Sequence, residues 1–116
     1  MDKIIIRDLR ARGRIGIGEE ERERPQDILI NVELFYDSRK AAASDDINDC
    51  VNYAAMTKKL LKAVEDNQRK TVEALAQDLS DLCLEHELVT KVKLRVEKTS
   101  IVRFTSAVGI EIEREK

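Results

Sequence analysis

The chain has 116 residues, of which 42% are hydrophobic and 38% are charged, and this balance is typical of one globular domain over residues 1–116. Its net charge of −2 lacks the clustered basic excess of nucleic-acid-binding proteins, and no apolar run approaches the roughly 20 residues of a membrane span. We therefore expect no nucleic-acid or membrane partner. Because the first residues also lack a signal-peptide layout, we expect a cytoplasmic location.

Cysteine and histidine are too scarce to predict a disulfide framework or a zinc site. The chain contains only Cys50, Cys83 and His86 of these residue types, without the spacing of metal ligands. We expect two reduced thiols and no bound metal. A Ser-His or Cys-His enzyme would depend on His86 alone, which we interpret as an ordinary residue near a helix end.

The first predicted elements are two strands joined by a polar loop. Residues 3–17 form an apolar stripe whose parity shifts near residues 7–8, and this shift indicates a β-bulge. Glycines and a glutamate run, residues 19–21, follow, and Pro25 ends the loop. Residues 27–36 alternate as the second strand.

The second half of the chain is predicted to hold two helices and then two strands. Residues 39–50 suggest a short helical turn and a connection, and helical spacing then predicts helices over about 53–66 and 71–87. Residues 89–98 alternate cleanly, and a last strand follows from residue 108. The order β-β-α-α-β-β predicts an α+β fold, an antiparallel four-stranded sheet with both helices on one face.

Lys98 breaks the alternation of its predicted strand. Counting by twos from Val92 through Leu94 and Val96 places Lys98 on the apolar side of the sheet. A lysine there must extend to solvent, find a partner or lose its hydration, and a lysine that loses hydration can act as a general acid and base. The alternative is that strand pairing stops at Glu97.

Glu73, Tyr53 and the glutamate run can each be explained structurally, and some of them also functionally. Glu73 could complement the start of the second helix, or it could aim into a cleft and bind a ligand with two parallel N–H donors. Tyr53 is best explained by pattern alone as core at the start of the first helix. The glutamate run is best explained as a solvated loop, although the flanking glycines allow one carboxylate to turn inward.

Four stretches together resemble the dihydroneopterin aldolase and epimerase family over nearly the whole chain, in order. They are IGIGEEERERPQDILINVEL (residues 15–34), DINDCVNYAAMTKKLLKAVEDN (46–67), TVEALAQDLSDLCLEH (71–86) and KLRVEKTSIVRFTSAVGIEI (93–112). The resemblance implies the tunnelling fold, in which subunits join their sheet edges into rings and two rings stack. It implies a homo-oligomer, an octamer of two tetramer rings, which would also cover the two edges of a small sheet.

The resemblance also implies roles for four residues. Glu73 matches the family's pterin anchor and Glu21 matches its loop carboxylate. Tyr53 matches a tyrosine contributed across a subunit interface, and Lys98 matches the catalytic lysine. The substrate is then a small pterin, and no cofactor is needed because the dihydropterin ring carries its own electron sink.

Two departures from the aldolase pattern point to the epimerase branch of the family. Aldolases carry a histidine where this chain has Ile15, and a proline-rich loop after the lysine where this chain has residues 99–104. The resemblance therefore implies inversion at C2′ of 7,8-dihydroneopterin triphosphate. Arg103 is then a candidate for binding the phosphates, although it could equally be a solvated surface residue. The alternatives are a dihydroneopterin aldolase and, in another class, a non-catalytic oligomeric pterin-binding protein.

Overall fold

A computed structural model describes residues 1–99 and 104–116 of the chain. In chain order, its strands and helices are β1 (Asp2–Gly13), β2 (Gln26–Tyr36), α1 (Arg39–Ser44), α2 (Tyr53–Glu65), α3 (Val72–Leu84), β3 (Lys91–Lys98) and β4 (Val108–Glu115). Two short 3-10 turns, Glu20–Glu23 and Ile47–Asp49, lie in the connections. The predicted order of strands and long helices is confirmed.

The four strands form one antiparallel sheet in the spatial order β1-β2-β3-β4. Each strand therefore lies beside its neighbour in sequence, and β1 and β4 form the two edges. Helix α2 contacts β1, whereas α3 contacts β3 and β4. The predicted α+β fold, a four-stranded antiparallel sheet covered by two helices, is confirmed.

Strict alternation on the central strands builds the core. On β2, every second residue from Gln26 to Tyr36 is buried, and on β3 the buried residues are Val92, Leu94 and Val96. The apolar stripes of α2 and α3 cover this face with residues that include Leu60 and Leu79. Burial of this face provides the main stabilisation, at about 25 cal/mol for each Å² of apolar surface.

The predicted bulge in β1 is confirmed between Ile6 and Leu9, where the pairing with β2 shifts. Asp8 has a φ of 51°, in the left-handed region, and its backbone N–H donates to Oδ1 of Asn31 at 2.8 Å. The Asn31 amide in turn donates to the Asp8 carboxylate at 3.2 Å. This reciprocal pair satisfies groups that the bulge removes from the strand ladder.

The predicted extension of β1 to residue 17 is wrong, because the strand ends at Gly13. A Cβ at Gly13 would lie 2.3 Å from the Val64 carbonyl oxygen, so only glycine allows so close an approach to the end of α2. Beyond this point the carbonyl of Ile15 accepts a hydrogen bond from the Gln26 side chain at 2.6 Å. The chain leaves the sheet edge here, and the residues that follow form the loop of the candidate site.

Side-chain caps fix the beginnings of both long helices. The Asn52 side chain accepts from the Ala55 N–H at 3.0 Å and begins α2, and the Thr71 hydroxyl accepts from the Ala74 N–H at 3.1 Å and begins α3. After α3, His86 Nδ1 accepts from the Leu88 N–H, in keeping with its interpretation as an ordinary residue near a helix end. None of the helices in the described part of the chain is long and apolar enough to cross a membrane.

Candidate functional site

Lys98 is the last residue of β3 and lies on the same face of the sheet as the core. It remains paired across the sheet, with Ile28 on one side and Val108 on the other. The alternative in which pairing stops at Glu97 is therefore wrong. Only 12% of the Lys98 side chain is exposed, so its amine lies at the end of the core rather than in bulk solvent.

Glu21 is the partner of this amine. Lys98 Nζ donates to Glu21 Oε2 at 2.9 Å, across 77 positions of sequence. Glu21 lies in the 3-10 turn Glu20–Glu23, and it turns inward while the neighbouring Glu19 and Glu20 remain exposed. The interpretation of the whole run as a solvated loop is therefore wrong for Glu21, and the alternative that the glycines allow is the one observed, with Glu21 in a partly buried ion pair.

A glycine makes room for the Glu21 side chain. Gly16 has a φ of +149°, and a Cβ built there would lie 2.5 Å from both Cβ and Oε2 of Glu21. The loop is also held by Arg22, whose Nη1 donates to the carbonyls of Gly16 at 2.8 Å and Ile17 at 3.1 Å. The local backbone thus positions Glu21 against Lys98.

Glu73 lies at the N-terminal end of α3, at its second residue. The capping position belongs to Thr71, and no ion pair or hydrogen bond engages the Glu73 carboxylate within residues 1–99 and 104–116. Glu73 is exposed to solvent. Its position in the first turn agrees with its interpretation as a complement to the helix start, and its two carboxylate oxygens are also available to a ligand.

Glu73 and Lys98 line the same cavity, which has a volume of about 140 Å³. The cavity lies where the loop after β1, the start of α3 and the ends of β3 and β4 meet. Its lining residues are Gly16, Ile17, Lys70, Thr71, Val72, Glu73, Lys98 and Val108. Apolar walls combined with one carboxylate and two amines suit a flat heterocycle that carries N–H donors and a reactive group.

Two of the predicted site residues that the structure describes, Glu21 and Tyr53, do not line this cavity within one chain, although Glu21 binds Lys98. Tyr53 begins α2 with 62% of its surface exposed, so its interpretation as a core residue is wrong, and it is not among the residues that line the cavity. Arg103 lies outside the described residues, as do positions 100–102. Its proposed contact with phosphate remains a prediction.

Sequence reasoning missed Lys70, Ile17 and Val108 as cavity residues. Lys70 precedes α3 and Ile17 lies in the glycine loop, where no periodic pattern assigns a face. Ile17 is 87% exposed. An isoleucine between two glycines, outside any periodic apolar pattern, was the sequence signal that could have indicated an apolar wall of the cavity. Val108 is opposite Lys98 in the sheet, so knowledge of the register between β3 and β4 would have placed Val108 beside the cavity.

Comparisons with known proteins show the family of this chain. The sequence profile of dihydroneopterin aldolase (FolB) matches residues 4–113. The chain is 40% identical to dihydroneopterin triphosphate 2′-epimerase of Escherichia coli over 109 residues, which are 94% of this chain and 91% of that protein. The chain belongs to the dihydroneopterin aldolase family.

Two solved structures of family members share its architecture. Escherichia coli dihydroneopterin aldolase in complex with neopterin superposes with a TM-score of 0.92 at 32% identity, covering 98% of this chain and 99% of that one. A dihydroneopterin aldolase from Burkholderia thailendensis bound to guanine has a TM-score of 0.83 at 25% identity, covering 98% and 90%. Both bound molecules are fused-ring heterocycles with an aminopyrimidinone edge.

Ile15 is the position where this chain departs from the histidine implied for aldolases of the family. The Ile15 side chain is fully buried and belongs to the hydrophobic core. It therefore cannot carry a proton to or from a substrate. In the described part of the site, the side chains with an amine or a carboxylate that can do so are Lys98, Lys70, Glu21 and Glu73.

Proposed function

We propose that this chain inverts C2′ of 7,8-dihydroneopterin triphosphate to give dihydromonapterin triphosphate. The observation that supports this most directly is the shared cavity of Lys98 and Glu73, with the Glu21 carboxylate 2.9 Å from the Lys98 amine. The 40% identity to the Escherichia coli epimerase supports the choice of substrate.

The proposed chemistry is retro-aldol cleavage followed by re-addition. A base removes the 2′-hydroxyl proton, the C1′–C2′ bond breaks, and its electron pair moves toward the C6=N5 imine. The intermediates are an enamine-like pterin and an aldehyde. If the aldehyde turns over and is attacked on its other face, the C1′–C2′ bond forms again with inverted C2′, and the proton returns to the oxygen.

Each site residue has one task in this scheme. Glu73 accepts hydrogen bonds from the aminopyrimidinone edge of the pterin, and Lys98 carries the hydroxyl proton as general base and acid. Glu21 holds the Lys98 amine and positions water or the ring. Tyr53, supplied by a neighbouring subunit, donates to an oxygen or to the enamine.

The fate of the aldehyde separates this proposal from the aldolase alternative. An aldolase releases glycolaldehyde and 6-hydroxymethyl-dihydropterin, whereas an epimerase must retain the aldehyde until it re-adds. A triphosphate attached to the aldehyde allows basic residues to retain it, which favours the intramolecular step. A buried Ile15 in place of histidine disfavours efficient aldolase turnover. Lys98 in the cavity, with its amine bound to Glu21, argues against a non-catalytic binder, which needs no proton carrier.

We also propose that the working form is a homo-octamer of two tetramer rings in the cytoplasm. The cavity of about 140 Å³ is smaller than the roughly 300–1,000 Å³ of complete ligand sites, so one chain supplies only part of a pterin site. The exposed Tyr53 is available to a neighbour, and strands β1 and β4 form sheet edges that a second copy could pair with.

The proposed activity is tested by incubating the protein separately with 7,8-dihydroneopterin and with its triphosphate. Chromatography resolves the C2′ stereoisomers and free 6-hydroxymethyl-dihydropterin. We expect the triphosphate to be epimerised with the higher kcat/KM and with little free 6-hydroxymethyl product. Efficient release of that product from either compound would assign the protein to the aldolase reaction instead.

A further inference from the structure

Lys70 is a cation at the candidate site to which the proposed mechanism assigns no task. It lies directly before Thr71, the residue that caps α3, and it lines the same cavity as Lys98 and Glu73. It is exposed to solvent. A lysine carries its ammonium group on a flexible four-carbon stem, so an exposed lysine can approach an anion that lies at the cavity rim.

The backbone holds Lys70 at the Lys98 end of the cavity. The Lys70 carbonyl accepts from the Gly16 N–H at 2.9 Å. Gly16 lies directly under the Glu21 side chain, whose Oε2 binds the Lys98 amine at 2.9 Å. A continuous chain of contacts thus connects position 70 to the groups proposed to act on C2′.

The turn that carries Lys70 is itself fixed. The Asn67 amide donates to the carbonyls of Arg14 at 2.9 Å and Arg69 at 3.1 Å, and the Asn67 Oδ1 accepts from the Arg69 N–H at 2.9 Å. The segment therefore connects the loop after β1 to the start of α3. Position 70 is held in place although it lies outside any helix or strand.

The two neighbouring cations differ in whether their charge is already paired. Arg69 binds both oxygens of Asp78, at 2.9 Å and 3.3 Å. Lys70 has no carboxylate within ion-pair distance in the described ranges 1–99 and 104–116. The Lys70 ammonium is thus available to a ligand, whereas Arg69 serves the fold.

We infer that Lys70 binds the phosphates of the substrate, an inference that rests on the proposed function. The cavity of about 140 Å³ holds only part of a pterin anchored on Glu73, so a triphosphate attached beyond C2′ must lie outside it. The phosphates leave from the Lys98 end, where Lys70 is held. A single contact there both selects the triphosphate and keeps the cleaved aldehyde near the enamine, which favours re-addition.

The test compares Lys70→Ala, Lys70→Arg and the control Lys58→Ala, an exposed lysine of α2 away from the cavity. The measured quantity is kcat/KM for the triphosphate divided by kcat/KM for dihydroneopterin. We expect Lys70→Ala to lower this ratio about tenfold, the loss of one charge-assisted contact, and Lys70→Arg to restore most of it. The ratio in Lys58→Ala should equal that of the wild type.

A second measurement separates failure of this inference from failure of the proposed function. Inorganic tripolyphosphate is added as an inhibitor of dihydroneopterin turnover, which requires no activity on the triphosphate. We expect Lys70→Ala to raise the inhibition constant about tenfold. If wild type and Lys70→Ala are inhibited equally, or wild type is not inhibited, the role of Lys70 is overturned. A wild-type enzyme without preference for the triphosphate would overturn only the proposed substrate.

Discussion

The amine of Lys98 lies 2.9 Å from the carboxylate of Glu21, and this contact joins the end of β3 to the loop after β1. The two residues are 77 positions apart in sequence. The pair lies beside the cavity that Glu73 lines. In the proposed mechanism, this partly buried pair is the proton carrier together with the group that orients it.

Replacement of Lys98 by alanine should remove most of the turnover without unfolding the protein. General acid and base catalysis is typically worth about 10²–10⁴-fold in rate, and we expect a loss in that range. The matched control is Lys93→Ala on the same strand, since Lys93 points to the opposite face and pairs loosely with Glu111 at 3.7 Å. Equal turnover in Lys98→Ala and the wild type, at the same assembled mass, would exclude Lys98 as proton carrier.

Loss of Glu73 should weaken pterin binding more than it slows the chemical step. A hydrogen bond to a charged group contributes about 1.5–3 kcal/mol, so Glu73→Ala should lower the affinity for neopterin at least about tenfold. Glu73→Gln keeps one acceptor and should bind with intermediate affinity. Glu65→Gln, an exposed glutamate of α2, serves as the control. Calorimetric titration with neopterin measures all four proteins, and wild-type affinity in Glu73→Ala would contradict the anchoring role.

The two glycines of the loop after β1 should respond differently to alanine. At Gly16 the new Cβ would lie 2.5 Å from Glu21 Oε2 on a backbone with φ of +149°, so Glu21 must move away from Lys98. At Gly18 the nearest atom, Glu21 Oε1, is 3.8 Å away, which is ordinary contact. We expect Gly16→Ala to reduce kcat severalfold or more, as displacement of an orienting group does.

Gly18→Ala should keep nearly the turnover of the wild type and thus serves as the matched control for the Gly16 substitution. Circular dichroism and thermal melting of both variants test whether the fold is retained. Equal kcat values for the two alanine variants would show that the Gly16 backbone does not control the position of Glu21.

The oligomeric state can be tested together with the proposal that a neighbouring subunit supplies Tyr53 to each site. Light scattering should give a mass well above the 13.3 kDa of one chain. Tyr53→Ala and Lys98→Ala should each be nearly inactive, but subunits unfolded and refolded together should regain activity. Mixed rings contain interfaces at which an intact Tyr53 meets an intact Lys98. A mixture no more active than its separate components would place both residues of a site on one chain, and a monomer mass would remove the ring proposal.

The two thiols should react at very different rates in the native protein. Burial raises the pKa of the Cys83 thiol to about 12, so it stays protonated at neutral pH and lacks the reactive thiolate form. Cys50 is only partly buried. A Cys50→Ser variant should therefore react with a thiol reagent only after denaturation, whereas Cys83→Ala should react in the native state. Rapid reaction of native Cys50→Ser would mean that α3 opens readily from the sheet.

Local periodicity was sufficient to predict most of the fold and one face of the site. Alternation along β3 placed Lys98 on the core side, because successive side chains of a strand point to opposite faces. The same rule located the bulge near Asp8, since only an extra residue can change the parity of a strand. Helical spacing of apolar residues predicted the two long helices, and the structure added the caps at Asn52 and Thr71 that begin them.

Tertiary structure decided the contacts that no periodic pattern in the sequence predicts. Which glutamate of the run turns inward depends on the nearby Gly16 and on the distant Lys98, and the contact with Lys98 is not encoded by neighbouring residues. Lys70 lies at the site because its carbonyl accepts a hydrogen bond from the N–H of Gly16, which is 54 positions earlier in the sequence. The sequence by itself thus determined the elements and their faces, which depend on short-range geometry. The meeting of two loops at one cavity followed only from packing the helices on the sheet.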